Sequence, residues 1–581
     1  MLATALIALV ALLAAWQYRW ICDDAMINFR IVENFVHGHG PVFNVGERTE
    51  VYSDPLWVAA LVVLRVVAWF IPLGWSAALL GMLCTVLGMY FAGRAIALQR
   101  DDEEMTRWPV GLAVFASVPV VWEFMTSGLE IGMSIAWIGW SYCVVVRRSQ
   151  TIGSPRVTAM VLGAGLLIRP DLLLISLCFL VAWWGSDEVF RTHNRPVRLV
   201  ASRLAWAFVG PALYELFRMA YFASLVPNTG LVKSATSLWP SQGLAYLSNF
   251  LNPYWLWLPI VFLLAVQATR AISRRHDRRH SLLVMAPVVA GATSMLYFVA
   301  IGGDFMHGRL FLPGFFCLVM NAAVAFNNRW RIAAGIVLAG WSVTCVSALR
   351  WTLPPLTLYT TIGDERTVTL GLTHAAHPIV SADFAQSQWF GYGQQLYDGA
   401  VAYSPRHDGL VLGSNPKLFV ALPPELPPIV GGRSGLGNVL IAATRPIGQV
   451  GYAAGSQVYI FDQLSLANPV SSHFSVHQRT KPGHEKVASM AWYIGRFGTP
   501  GDARQLNRYR RFSDFAPVTL AEVVAAREAL ACGQLRSYLR GITAPVTPRL
   551  LVSNFVNAFS NTTMTFDGNP LVAVRELCHH R

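Results

Sequence analysis

From residue 2 to residue 350 the chain alternates apolar runs with short, arginine-bearing loops. That alternation constrains the fold more than any other feature, because a soluble core has no use for it. A helix crosses a bilayer on about 20 predominantly apolar residues, fewer where it is short or reaches only part way. The runs 2–20, 76–98, 109–124, 130–147, 156–168, 171–185, 203–222, 253–270, 283–301, 309–326 and 332–350 are candidate spans. A further run, 55–72, carries Arg65 at its middle, where a charge at membrane depth is costly. The composition agrees: only 13% of residues are charged and 54% are hydrophobic, whereas soluble domains carry about 25% charge. The first run leads into Gln17-Tyr18-Arg19-Trp20 with no small-residue cleavage site, so it is expected to stay as a span.

Orientation follows from the arginines, which concentrate in cytoplasmic loops. Arg147-Arg148, Arg191, Arg195 and Arg198, the stretch 270–279, and Arg329 with Arg331 mark one side. The loops 126–130, 169–171, 225–254 and 302–309 then face the other side, and so does everything after residue 350. Because the loop 99–108 with Arg100 and Arg107 is cytoplasmic, only one crossing fits between residues 55 and 98. The reading is that 55–72 lies along or dips into the external face while 76–98 crosses. That gives a polytopic α-helical protein with about eleven transmembrane helices and a cytoplasmic N-terminus. The alternative is that 55–72 crosses and a short run such as 109–124 does not. The runs 156–168 and 171–185 read as half-helices meeting at Arg169-Pro170. Within the first external stretch, 21–75, Ala25, Phe29, Val32 and Val36 share one face, which predicts an amphipathic helix over 25–38 lying in the interface.

Residues 351–581 have ordinary composition and length enough for their own core. Strand-like runs ("GLVLGS", "LFVAL", "NVLIAAT", "QVYIFD") mix with helical ones such as 519–531. The expectation is two domains, a membrane body over 1–350 and a mixed α/β domain over 351–581 capping the external face, either as a grip for an acceptor or as a structural lid. Six of the eight cysteines lie in or beside apolar segments. Cys532 and Cys578 lie in the polar part, and they suit a disulfide if that part is outside the cytoplasm. No cysteine–histidine spacing suggests zinc. The net charge of +13 comes from 41 Arg and 4 Lys scattered in loops, and does not form a nucleic-acid patch.

This topology brings polar residues from five loops to one side. Asp23 and Asp24 follow the first run, Glu130 ends the "TSGLE" turn, and Arg169 and Asp171 sit between the half-spans. Arg218, Tyr221, Asn228 and Lys233 lie in "FRMAYFASLVPNTGLVKS", and Asp304, His307 and Arg309 in "GGDFMHGRLFLP". Each one alone reads equally well as a helix-end residue, and Asp171 and Arg218 read better that way. Together, ionisable groups at membrane depth mark a substrate path. Lys233 is the only lysine before Lys417; a compact point charge suits a phosphate, and Arg309 and Arg169 supply forked donors. Acids for proton transfer or nucleophilic attack beside bases for an anionic leaving group are what a glycosyl phosphate donor requires. No nucleotide-binding glycine motif is present, which points to a lipid-linked donor.

The acidic pair after the first span, the interface helix and the multi-span body resemble the GT-C glycosyltransferase superfamily. Within it, "DDAMINFRIVENFVHGHGPVFNVGERTE", "TSGLE", "FRMAYFASLVPNTGLVKS", "WPSQGLAYLSNF", "GGDFMHGRLFLP" and "FDQLSLANPVSSH" resemble, in order and from residue 19 to the C-terminus, the mycobacterial family of terminal β-(1→2)-arabinofuranosyltransferases. Trp239-Pro240 departs from the Trp-Ser of that family. The resemblance implies a decaprenylphosphoryl-arabinofuranose donor and transfer to the arabinan ends of arabinogalactan and lipoarabinomannan, on the external face of the plasma membrane. It carries the catalytic acids onto Asp23 and Asp24, with one of them as the base for the acceptor 2-hydroxyl. Glu130, Arg169, Tyr221, Asn228, Lys233, Asp304, His307 and Arg309 are the expected substrate-binding set. A β-linked donor giving a β-linked product leaves open whether an aspartate attacks the sugar or the departing phosphate assists on the same face. No cofactor is expected, and a divalent cation stays open but not indicated: Asp23 and Asp24 could hold one, yet two adjacent residues seldom complete its oxygen shell without other ligands. The rival readings are a flippase for a lipid-linked sugar, a transferase of the same superfamily acting on another sugar, and a non-catalytic scaffold.

Overall fold

The computed structural model describes residues 1–99, 107–150, 152–187, 196–233, 237–349, 362–403, 409–411, 419–421, 440–498, 504, 507 and 517–578. Helices α1 (Leu2–Gln17), α2 (Asp23–Val36), α3 (Pro55–Val67) and α4 (Leu73–Leu98) open the chain. Among the described residues, three helices are long and apolar enough to cross a membrane: α4, Arg278–Ile301 and Arg329–Ser347. Two bent pairs add to them: Pro119–Thr126 meets Ile131–Ser149 at 107°, and Pro240–Tyr254 meets Trp257–Ser273 at 93°. Shorter apolar helices are α1, α3, Pro155–Ile168 and Pro170–Ser186. The protein is thus mostly helical, with several helices suited to a bilayer, and those that pass the length test are fewer than the eleven runs of the sequence.

The physical reason is that several runs are broken. Run 109–124 divides into Val110–Ala116 and Pro119–Thr126, since proline starts a helix more readily than it continues one. Run 309–326 yields only Phe311–Val319. The half-helix reading at Arg169-Pro170 matches the geometry: Gly165–Ile168 ends there, and a 3-10 turn at Pro170–Leu172 starts the next helix.

Helix α4 and Ile131–Ser149 pack closely along their lengths. A Cβ on Gly139 would lie 2.2 Å from the carbonyl oxygen of Gly88, and one on Gly132 2.3 Å from that of Gly81. Small residues seven apart on both helices let the backbones touch. The run 55–72 gives α3, whose Arg65 pairs with Glu33 of α2 at 2.9 Å. Val63, Val66, Val67, Trp69 and Phe70 form an exposed apolar strip at its C-terminal end.

Helix α2 departs from the interface helix expected of 25–38. Ala25 to Val32 and Asn34 are buried, polar face included. The helix is held between α3 and the helix Gly448–Ala454. The buried Arg30 guanidinium makes that fit possible, donating to the carbonyls of Phe43, Gly451, Gly455 and Val458.

Each strand-like run after residue 400 carries a strand: β1 (Gly409–Val411), β2 (Phe419–Ala421), β3 (Leu440–Thr444) and β4 (Val458–Asp462), in the order β2-β1-β3-β4. Strands β3 and β4 are parallel, and Gly448–Ala454 connects them. Ile379, Phe384, Leu396, Ala400, Ile447, Val450 and Ile460 share one core with the membrane-type helices, while a second core gathers Ile441, Phe461, Trp492 and the helices from 520 to 573 around Ala223. Cys532 and Cys578 form a disulfide that closes this second unit.

Candidate active site

The two acids open α2, where the N-terminal partial charge favours them. Cys22 caps the helix, its Sγ accepting from the Ala25 N–H at 3.4 Å, and its own N–H is fixed on the Ser127 carbonyl. The "TSGLE" turn passes close by; a Cβ on Gly128 (φ +85°) would lie 2.7 Å from that of Ala25.

Adjacent in sequence, the acids meet different surroundings. Asp23, partly buried like its neighbour, meets the Gly448–Ala454 helix: its carboxylate accepts from the N–H groups of Gly448 at 3.1 Å and Gln449 at 2.7 Å. Burial and the neighbouring Asp24 push it up to about 6 despite those donors. Asp24 faces the other way, receiving Arg309 Nη1 at 3.0 Å.

From Asp24 the charges alternate. Arg309 Nη1 lies 3.7 Å from Asp304 Oδ2, and Lys233 Nζ lies 3.9 Å from Asp304 Oδ1. Side-chain exposure rises from 1% at Asp304 and 10% at Arg309 to 26% at Asp24 and 38% at Lys233. The inner pair is sealed, so the acid and the base that open outward are Asp24 and Lys233. Burial alone would raise Asp304, but Lys233 and Arg309 hold it below the usual carboxylate range.

The local sequence explains the placement. Gly302 (φ +99°) ends Arg278–Ile301 in the left-handed conformation. A Cβ on Gly303 (φ +71°) would be 2.4 Å from the Tyr246 ring. The Tyr246 hydroxyl donates to the Met306 carbonyl and accepts from the Leu310 N–H, pinning the loop at both ends. Lys233 ends the short helix Asn228–Val232 behind Pro227.

A second cluster adjoins. Arg169 donates to Glu130 at 2.8 Å and to Asp171 at 2.9 Å. Asp54, which caps the start of α3, accepts from Asn28 at 2.8 Å. Burial first, then the charge of Glu130, pushes Asp54 up to about 8. Of the two interacting carboxyls the proton belongs on Asp54, since Glu130 has the arginine.

The remaining expected residues are engaged elsewhere. Tyr221 lies under the Arg48 guanidinium and stacks on Phe217. Asn228 donates to the carbonyls of Ser465 and Leu466 and so straps its helix to the C-terminal segment. His307 bonds Tyr254 through Nε2 and Asn249 through Nδ1. Four groups that sequence reasoning passed over share the surroundings of the site. Asp54 is one. Glu365 is brought by backbone pairing of Gly363 with Phe305 and His307; burial and the charges of Asp24 and Asp23 push it up to about 8. Lys481 and His484 both contact the Phe305 ring. Only Lys481 carried a signal, the scarcity of lysine.

A half-open carboxylate lies beside buried and exposed cations on a body of membrane-type helices, an arrangement able to receive an anionic group. No protein-family model matches the chain, and no solved structure matches it. A Mycobacterium tuberculosis protein named terminal β-(1→2)-arabinofuranosyltransferase is 30% identical, across 96% of this chain and 94% of its own length. A Corynebacterium glutamicum protein of the same name is 26% identical, across 84% of this chain and 76% of its own. The chain belongs to the terminal β-(1→2)-arabinofuranosyltransferase family, and is a glycosyltransferase.

Proposed function

We propose that the protein transfers arabinofuranose from decaprenylphosphoryl-arabinofuranose to the non-reducing ends of arabinan, forming terminal β-(1→2) linkages in arabinogalactan and lipoarabinomannan. The observation that carries the site assignment is the half-open Asp24 on Arg309, next to Asp304 and Lys233. In this reading Asp24 takes the proton of the acceptor 2-hydroxyl as its oxygen bonds to the anomeric carbon on the face the phosphate leaves, which keeps the β configuration. The bond from that carbon to the phosphate oxygen breaks and its electron pair stays on the phosphate. Lys233 holds the phosphate while the buried Arg309 orients Asp24 behind it, and side-chain cations carry the charge with no role assigned to a metal. Asp23 is the positioning partner that docks α2 on Gly448–Ala454. Glu130 and Arg169 back the site, and Tyr221, Asn228 and His307 shape its walls.

The same reading places the chain in the plasma membrane with about eleven crossings, counting short and bent helices, and with the site and C-terminal domain on the periplasmic face. Residues 1–350 form the catalytic membrane domain and 351–581 the periplasmic cap, a candidate carbohydrate-binding surface. The test is purified protein in lipid nanodiscs with a synthetic polyprenyl-phosphoarabinose donor and an arabinan acceptor, the product linkage being read by NMR. A new β-(1→2) arabinofuranose is expected. Donor binding without transfer, together with movement of the donor across proteoliposome membranes, would make the flippase reading the correct one.

A further inference from the structure

The chain has four lysines against 41 arginines, at 233, 417, 481 and 486. Position 417 lies outside the described residues. The other three, separated by up to 253 positions, meet at one place. Lys486 donates through Nζ to the carbonyls of Leu231, at 2.9 Å, and Ser472, at 2.7 Å. It thereby ties the loop 475–486 to the helix that ends in Lys233. Arg479 reinforces the tie, stacking on Trp239 at 4.8 Å and bonding Ser237 and Glu485. Between these anchors, Gly483 (φ +76°) lies against the Lys233 stem, where an added Cβ would be in ordinary contact at 3.5 Å.

This lacing delivers Lys481 to the site. Its Nζ lies over the Phe305 ring, 4.7 Å from the centroid, and His484 meets the same ring edge-on at 4.9 Å. Phe305 directly follows Asp304. The carboxylates that act on Lys481 are Glu365, Asp304 and Asp24, two of which belong to the alternating charge array. The aromatic face orients the ammonium without neutralising it, as suits a charge kept for a ligand.

We infer that Lys481, carried in by the C-terminal segment, is a substrate-contacting cation that closes with Lys233 on the leaving phosphate. The inference rests on the donor proposed above. In the donor the phosphate is a diester with one negative charge. When the bond to the anomeric carbon breaks, the electron pair stays on the phosphate oxygen, and the phosphate leaves with two charges while the acceptor proton goes to Asp24. A cation that meets the second charge stabilises the transition state more than the ground state, so its loss falls on kcat rather than on KM.

The test compares wild type, Lys481→Gln and Lys481→Arg in nanodiscs, with thermal unfolding as a folding control. Expected is a fall in kcat of about a hundredfold in Lys481→Gln, with donor KM little changed and partial recovery in Lys481→Arg. Binding of polyprenyl monophosphate, measured without acceptor, weakens in Lys481→Gln, whereas inorganic phosphate and phosphatidylglycerol vesicles show no dependence on residue 481. Unchanged kcat and unchanged polyprenyl phosphate binding in Lys481→Gln would overturn the inference. So would lysine dependence shared by inorganic phosphate or phosphatidylglycerol, or a loss in both variants that follows lowered thermal stability. A wild type that transfers nothing yet binds polyprenyl phosphate through Lys481 would sink the proposed reaction and keep the site.

Discussion

The stretch between α1 and α3 makes two kinds of ionic contact, and they differ in what they leave open. At its C-terminal end, Glu47 meets Arg496 and the Tyr459 hydroxyl, and Glu50 meets Arg218 and Tyr214. All four charged side chains are at least nearly nine-tenths buried, with Glu47 and Glu50 at 1% exposure. At its N-terminal end, Asp24 and Lys233 keep an open edge. Sealed pairs of this kind add little net stability but make any other arrangement expensive, because an unpaired buried charge is costly. The Glu47 contacts fix the register between segments more than 400 residues apart, and the Glu50 contacts do so for segments 164 and 168 residues apart. The open array leaves its outer carboxylate and cation available to a ligand. The same residue types thus hold the chain together in one place and, in the proposed reaction, serve chemistry in the other.

Breaking the sealed half should cost the most stability. Glu47→Ala strands Arg496 and is expected to destabilise by about 3–5 kcal/mol, read as a large fall in the thermal midpoint in detergent. Removing both charges with Glu47→Leu and Arg496→Leu should cost less than the single change. Next comes the disulfide, which spans 46 residues. Cys532→Ser should cost roughly 3–4 kcal/mol by the loop-closure argument. Limited proteolysis should locate the loosening in the helices from 520 to 578, with transfer activity kept at low temperature.

A third change sharpens the boundary between the two halves. Folded Asp54 keeps its proton up to about pH 8, against 3.8 for the ordinary group. Between those values the native state binds more protons than the unfolded chain, so stability falls as pH rises. Asp54→Asn keeps the neutral form, and its thermal midpoint should match wild type near pH 4 and exceed it at pH 9. The smallest effect belongs to the exposed comparison pair, Arg65 with Glu33, both 27% exposed. Arg65→Ala should change stability by about 1 kcal/mol or less.

Much of this was legible in the sequence where a local pattern carries it. Apolar runs marked the helices, β-rich runs marked all four strands, and Arg169-Pro170 marked a break. Asp24, Lys233, Asp304 and Arg309, grouped in the sequence by their charge and loop positions, also lie together in the fold. What stayed hidden depends on contacts across hundreds of residues. Arg30 reads as one polar residue on an amphipathic helix, yet its four carbonyl partners come from 43 and from 451–458. Asp23 and Asp24 are equivalent in sequence; only the arrival of Gly448 and Gln449 separates them. Tyr221 and His307 sit among site motifs, but the Tyr221 ring meets Arg48 and Phe217 and the His307 nitrogens bond Tyr254 and Asn249, neighbours that no spacing predicts.

The central claim is that the two adjacent aspartates divide the work, Asp24 reacting and Asp23 positioning. The direct measurement is kcat for arabinofuranosyl transfer by Asp24→Asn and Asp23→Asn, alongside thermal midpoints. The account predicts that Asp24→Asn loses about a thousandfold or more in kcat with its midpoint unchanged, while Asp23→Asn unfolds earlier and keeps measurable turnover. An Asp24→Asn enzyme that turns over normally while Asp23→Asn is inactive but fully stable would contradict it.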